Sequence, residues 1–305
     1  PSSTRPPDCM VYTNASDLDF SPDDLSAIER PDRVLMTSPV YYDVTYAINP
    51  HMAEHVGRVD RDRAGAQWST LRDQYRQLRF EVHRLEGQPD LPDMVFCANQ
   101  TLPVRRPDGD REVVMSRMHS RERRDEVAHF TPFFEAQGYR PIHLPDRVTG
   151  SFEGMGDALW HPGRYLLWGG YGFRTDLAVY SHLGGLLEVP ILALELVDPD
   201  FYHLDTALCL LDEETALWYP KAFSPTSRTL VRAVFDRLIH APEREARRYL
   251  ACNAHSPDGQ HVLIHEACDT SCERLADAGY TPVPLDLSEY LKAGGSVYCM
   301  KQMFW

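Results

Sequence analysis

The sequence predicts an α/β protein built as a ring of five similar units, and three observations carry that reading. Amphipathic helices alternate with short strands along most of the chain, the helices falling near 60–80, 119–137, 174–187, 226–239 and 265–278. Small polar motifs recur between these units: Phe96-Cys97-Ala98-Asn99, Phe152-Glu153-Gly154-Met155-Gly156-Asp157, Tyr202-His203-Leu204-Asp205-Thr206, Leu250-Ala251-Cys252-Asn253 and a last stretch carrying Cys299. One polar residue from each (Asn99, Glu153, His203, Asn253, Cys299) follows the previous one by 54, 50, 50 and 46 residues. A period near 50 repeated five times suggests a ring whose equivalent loops converge on one centre. Finally, Gly138-Tyr139-Arg140-Pro141 and Gly279-Tyr280-Thr281-Pro282 each close a helix and open a strand, the glycine suiting a left-handed helix end. An ordinary doubly wound sheet also alternates helix and strand. Its dinucleotide-binding form is disfavoured, because no G-x-G-x-x-G follows the first strand.

The elements follow in order. Residues 1–30 are rich in Pro, Ser and Asp with little periodicity, and read as a tail or irregular cover. Val34-Leu35-Met36 begins the first strand, and Tyr41 to Pro50 forms a polar, aromatic loop. Residues 31–305 then make a single catalytic domain. Tyr139 precedes Glu153 by 14 residues, Tyr280 precedes Gly294 by 14, and Val189 precedes His203 by 14. Near the C-terminus Gly294-Gly295 allows a sharp turn and close approach to a ligand. The strand-forming run Val297 to Met300 then presents Cys299 as a candidate nucleophile.

Composition narrows the function. The 305 residues carry a net charge of −14 with no basic stripe, which argues against nucleic acid and against an anionic membrane as partner. A small cationic substrate is compatible with that charge. No stretch approaches the ~18 apolar residues of a membrane span, and Pro1 to Asp8 lacks the apolar core of a signal peptide. The 7 cysteines are odd in number and irregular in spacing, which suits a reducing, cytoplasmic setting. The pairs His51/His55 and His261/His265 lack a third ligand at a recognisable spacing, so no metal is expected. Cys268 and Cys272 read as core packing. Arg121, Arg123 and Arg124, interleaved with Glu122, Asp125 and Glu126, read as a solvated helix face.

Cysteine, histidine and carboxylates brought together could process a flat cation. A thiolate attacks an electrophilic carbon, a histidine moves protons, and Glu153 and Asp205 could accept the forked N–H donors of a guanidinium. Here the residues reach a resemblance. Glu153-x-x-Gly156-Asp157, His203-Leu204-Asp205-Thr206 and Gly294-Gly295-x-x-x-Cys299 resemble, in order and over nearly the whole chain from about residue 33, the signatures of the guanidine-modifying (amidinotransferase, or pentein) superfamily. It includes arginine deiminases, dimethylarginine dimethylaminohydrolases, agmatine deiminases and arginine:glycine amidinotransferases. The resemblance implies a five-bladed α/β propeller of ββαβ repeats with pseudo-fivefold symmetry and no cofactor.

Carried over, the resemblance makes Cys299 the nucleophile, His203 the general acid/base and Glu153 its acidic partner. Asp205 becomes a second guanidinium-binding carboxylate, and Arg174 and Arg117 hold the substrate carboxylate. Asn49, Asn253 and Asp157 join the substrate-binding set. Deiminases usually carry Asp where this chain has Asn99, and the run around Asn99 with Tyr42 to Pro50 looks most like the arginine dihydrolase branch. An amide both donates and accepts, so Asn99 could hold a guanidinium N–H and later a ureido carbonyl. The expected activity is cysteine-dependent hydrolysis of arginine to ornithine, two ammonia and carbon dioxide through a covalent thiouronium. Amidino transfer to an amine, deiminase-type hydrolysis to citrulline, and non-catalytic arginine binding are the alternatives. The expected partner is a small guanidino compound, with a homo-oligomer left open.

Overall fold

Five small sheets make the framework of the computed structural model, which describes residues 10–305. Cys9 and the start of the expected N-terminal cover lie outside the described residues. Three sheets share one plan: a hairpin, a crossover segment containing a helix, and a third strand parallel to the second. They comprise Thr101–Arg105, Arg111–Met115 and Arg140–His143; Ala158–Trp160, Leu167–Tyr171 and Ile191–Glu195; and Leu208–Leu210, Thr215–Trp218 and Arg237–His240. A fourth sheet has the same plan with its first strand supplied from the chain's far end. Gln302–Phe304 pairs antiparallel with Arg33–Thr37, which pairs parallel with Glu81–Leu85. In the fifth, His261–His265 pairs parallel with Thr281–Leu285, and a lone antiparallel bridge from His255 to Leu263 replaces the first strand.

The crossover helices are Arg61–Gln77, Thr131–Ala136, Leu177–Leu187, Pro225–Val234 and Asp269–Asp277; four lie close to the predicted spans, whereas the span 119–137 is an α-helix only over Thr131–Ala136 and 3₁₀ over Arg121–His129. Their ends follow local chemistry. Asp60 accepts from the Arg63 amide at 3.0 Å, and Ser224 from the Ser227 amide at 3.3 Å with Pro225 in the first turn. Gly138 (φ +80°) and Gly279 (φ +96°) end their helices in the expected left-handed conformation. The middle strands are covered on both faces and are accordingly apolar runs such as Val34-Leu35-Met36 and Val262-Leu263-Ile264, all buried. Third strands such as Glu81–Leu85 and Arg140–His143 are partly exposed and mix polar with apolar residues.

Ile191–Glu195 departs from that rule, with four of its five residues buried. Val11–Tyr12 explains it by adding a parallel strand along its outer edge. The described part of the N-terminal segment is therefore docked on the sheet. Its composition, dominated by Pro, Ser and Asp, hides a strand of two residues. Among the described residues no helix is long and apolar enough to cross a membrane.

The five recurrent polar residues occupy equivalent places. Asn99, Glu153, His203 and Cys299 each lie a few residues before the first strand of a sheet, and Asn253 lies just before the bridge that replaces one.

Candidate active site

The last of these loops holds Cys299, and it is a turn. The expected strand at Val297 to Met300 is displaced to Gln302–Phe304. Asn253 is the reason. Its Oδ1 accepts from the amides of Ser296 (2.9 Å) and Cys299 (3.3 Å), and its backbone carbonyl accepts from Tyr298 (3.0 Å). These bonds take amides that a strand would offer to a neighbouring strand. The Asn253 Nδ2 donates to the Asp205 carbonyl (3.1 Å) and to Cys299 Sγ (3.2 Å). The glycines serve the same packing. Gly294 has φ +80°, and a Cβ there would come within 2.8 Å of the Tyr202 hydroxyl and 3.0 Å of Asn49 Oδ1. A Cβ on Gly295 would press into the Phe96 ring. Both glycines pack closely on neighbouring protein, and Gly295 also lines the pocket expected to take a ligand.

The Cys299 thiol donates to Asp205 Oδ2 at 3.2 Å. Burial, with Asp205 facing it, pushes the thiol well above its ordinary range. Burial likewise lifts the Asp205 carboxyl to about 7, although Cys299 and the charge of Lys301 pull against it. Across the site, His203 Nε2 lies 2.6 Å from Glu153 Oε2. The other Glu153 oxygen accepts the His119 amide at 2.9 Å. Burial alone would raise Glu153, but His203, Arg174 and Arg123 outweigh it and lower the carboxyl to about 2. An ionised Glu153 thus fixes the imidazole ring. Arg174 Nη1 reaches Glu153 at 3.3 Å, its Nη2 donates to the Ile48 carbonyl at 2.7 Å, and its guanidinium lies 4.9 Å from the centre of the Tyr202 ring.

One small pocket, about 20 Å³ in volume, unites these groups. Asn49, Asn99, Arg123, Arg174, His203 and Cys299 all line it. Glu153 and Asp205 stand one hydrogen bond behind His203 and Cys299. Asn49 fastens the Tyr41–Pro50 loop over the pocket, its Nδ2 donating to the Ala293 carbonyl at 2.9 Å.

Three expectations need correction. Arg117 does not face the pocket. Its guanidinium donates to the carbonyls of Leu144, Pro145, Val148 and Gly150, so it braces the 144–150 loop. Asp157 is also set back: it accepts from the Thr175 hydroxyl at 2.7 Å and the Leu204 amide at 3.0 Å, holding the loop that carries His203. Burial raises its carboxyl to about 7. Asn253 acts on the Cys299 loop and does not line the pocket.

The sequence reading missed Arg123, which was assigned to a solvated helix face. Residues Arg121–His129 form a 3₁₀ stretch, where residues three apart stack on one face. Ser120, Arg123 and Glu126 are therefore buried together while Arg121, Glu122, Arg124 and Asp125 stay exposed. A period of 3.0 instead of 3.6 was the signal. Arg123 pairs with Glu126 at 2.9 Å and donates to Asn99 Oδ1 at 2.8 Å. The histidine pairs find other uses: His51 Nε2 lies 3.1 Å from the Asp200 carbonyl, and His261 bonds Asp258 at 2.7 Å.

A buried cysteine, a histidine on a carboxylate and two arginines thus meet at one small pocket, the set expected of a guanidine-processing centre. Comparison with known proteins agrees. A profile of eukaryotic N,N-dimethylarginine dimethylhydrolases matches residues 44–304, and the chain belongs to that family. It is similar to the N(G),N(G)-dimethylarginine dimethylaminohydrolase of Mycobacterium tuberculosis, at 38% identity over 270 residues, 88% of this chain and 85% of the relative. It is equally similar, at 38% over 272 residues, to the bifunctional arginine dihydrolase/ornithine cyclodeaminase AgrE of Nostoc. That match takes in 88% of this chain but 37% of the relative, so the chain spans little more than a third of the bifunctional protein. Among solved structures, the N-terminal domain of the cyanobacterial arginine dihydrolase ArgZ, a mutant bound to substrate, aligns with a TM-score of 0.82 at 34% identity, covering 89% of this chain and 97% of that one.

Proposed function

We propose that the protein is an arginine dihydrolase, converting arginine and two waters to ornithine, carbon dioxide and two ammonia. The observation that carries this reading is the orientation of Asn99. Arg123 can only donate, so the amide oxygen must face it and the Asn99 NH₂ must point away. That NH₂ has no hydrogen-bond partner among the described residues, and Asn99 lines the pocket. A bare N–H donor suits a ureido carbonyl better than a guanidinium, which has only donors of its own. The pocket is thus matched to holding the product of a first hydrolysis for a second one.

In this reading Cys299 Sγ attacks the guanidinium carbon. Asp205 accepts guanidinium N–H groups once its hydrogen bond to Cys299 is released, and the nearby cation offsets the burial that keeps the thiol protonated. His203, oriented by Glu153, takes up the thiol proton and passes it to the departing ammonia, and the covalent thiouronium remains on Cys299. Water activated by His203 releases the ureido compound; in a second round Cys299 displaces the second ammonia, a second water cleaves the resulting thiocarbamate, and the freed carbamate loses carbon dioxide to leave ornithine. Arg174 and Arg123 supply the cationic end for the substrate carboxylate. The pocket's volume admits little more than one water, so its walls must part for arginine to enter.

The five sheets are best understood as the blades of a closed α/β propeller, with residues 31–305 as one catalytic domain. The shared strand order, the pairing of the last strand with Arg33–Thr37, and five equivalent loops around one site support that. Free thiols at Cys97, Cys209, Cys252, Cys268, Cys272 and Cys299 support a reducing setting such as the cytoplasm.

Incubation with arginine, citrulline, methylated arginines and glycine, each product identified by mass, tests the assignment. Two ammonia and one ornithine per arginine are expected. Accumulated citrulline with one ammonia would make the protein a deiminase, and guanidinoacetate formed from glycine would make it an amidinotransferase.

A further inference from the structure

The Cys299 loop has two sides. Cys299 lines the substrate pocket, whereas Tyr298 and Lys301 line a second cavity, of about 80 Å³. Much of its wall is apolar, from Met155, Leu159, Trp160, Met303 and Trp305. Set into that wall are hydrogen-bond donors without protein acceptors. The Lys301 ammonium is fully buried, lies 3.1 Å from the centre of the Tyr298 ring, and has no hydrogen-bond partner among the described residues. The Ser256 hydroxyl is likewise unpartnered. His161 Nδ1 accepts the Trp168 indole N–H at 3.1 Å, which places its own proton on Nε2. That Nε2 has no acceptor in hydrogen-bonding geometry, although the Glu213 carbonyl is nearby.

The single carboxylate lining the cavity, Glu29, is engaged by Arg105 at 2.5 Å. Arg30 lines both this cavity and a second cleft that adds Arg33, Arg105 and Arg111 together with Asp32 and Glu81. The Tyr298 ring face and the charge of Asp205 attract the buried Lys301 cation, but neither gives its N–H donors a hydrogen-bond acceptor. Burial pulls the Lys301 ammonium down to about 7, against the attraction of Asp205 and of the Cys97, Cys209 and Cys299 thiols. An anion on the cavity side would supply the missing counter-charge.

We propose that this cavity binds a small monocarboxylate with a short apolar body, its carboxylate held by Lys301, Ser256 and His161. A single buried ammonium balances one negative charge, and apolar walls favour an organic acid over phosphate or chloride. The site is separate from the substrate pocket, and its occupancy can be measured without reference to catalysis.

The test titrates the whole chain at pH 6.5 with straight-chain monocarboxylates from acetate to hexanoate, with phosphate and chloride alongside. Calorimetry and the fluorescence of Trp160 and Trp305 report binding. One saturable site is expected, with affinity rising along the series until the cavity is filled. Lys301→Met, nearly the same shape and free of the unpaired charge, should fold and weaken binding at least about tenfold. Ser256→Ala should weaken it a few-fold, and Arg174→Gln, in the substrate pocket, should leave it unchanged. No saturable binding, binding indifferent to Lys301 and Ser256, or loss on Arg174→Gln would each overturn the proposal, as would a soaked crystal showing only water in the cavity.

Discussion

Asn99 and Asn253 occupy equivalent loops of two units and are both buried, yet they are used in opposite ways. Asn253 employs both ends of its amide, with two amides on Oδ1 and the Asp205 carbonyl and Cys299 Sγ on Nδ2. Asn99 satisfies its oxygen with Arg123 and leaves its NH₂, which lies against Gly156, without a partner among the described residues. One residue is therefore a clamp and the other a recognition group. A repeat delivers the same residue type to the same place in each unit, and the neighbours decide its task. Asn253 meets the free amides of the turn at Ser296 to Cys299, whereas Asn99 meets a guanidinium that fixes which end of its amide is left over.

Breaking the clamp should have the largest effect. Asn253→Ala removes four hydrogen bonds and leaves the Ser296 and Cys299 amides without their buried acceptor, at about 0.5–1.5 kcal/mol for each bond lost. The turn then no longer fixes Cys299 against Asp205. The expected result is a fall in kcat of about a hundredfold with a smaller change in KM, together with a lower Tm. A variant with native kcat would show that the turn holds its shape without Asn253.

Much of this comparison could be read from the chain before any geometry. The period near 50 located all five loops, because each unit must rebuild the same hairpin, helix and parallel strand. It also brought Glu153, His203 and Cys299 to one centre. What escaped was what periodicity does not encode. Arg123 was hidden because a 3₁₀ turn stacks residues by threes, so its buried face looked like scattered charge. Arg117 matched a substrate-binding position, but the carbonyls of the 144–150 loop, brought near only by the fold, take its donors. The Val11–Tyr12 strand is too short to give any alternation. The Cys299 turn looked like a strand because Val297 to Met300 have strand propensity, and Asn253, remote in sequence, overrides it.

Reversing the recognition group should change the product more than the rate. Asn99→Asp puts an acceptor-only carboxylate beside Arg123, where an ion pair keeps it charged. The pocket then loses the donor that suits a ureido carbonyl, and citrulline should leave after the first hydrolysis. The expected stoichiometry is one ammonia per arginine, with citrulline accumulating and the KM for arginine within a few-fold of the native value. Continued release of two ammonia and ornithine from the Asp variant would remove Asn99 from the recognition role.

The smallest effect tests the residue between clamp and nucleophile. Asn253 holds the Asp205 backbone while the Asp205 carboxylate faces Cys299. Burial raises that carboxyl to about 7, above the ordinary value near 4 that it regains on unfolding. Between those values the folded chain holds a proton that the unfolded chain has released, so stability falls as pH rises through the window. Above about 7 the whole penalty of a buried charge is present. Asp205→Asn removes this ionisation while keeping the shape and an acceptor for the thiol. The Tm of the variant, measured against the native protein, should be close to it near pH 4.5 and rise to a few degrees above it by pH 8.5. A Tm difference that does not grow with pH would mean that Asp205 is stably ionised in the folded protein, already partnered before any substrate arrives.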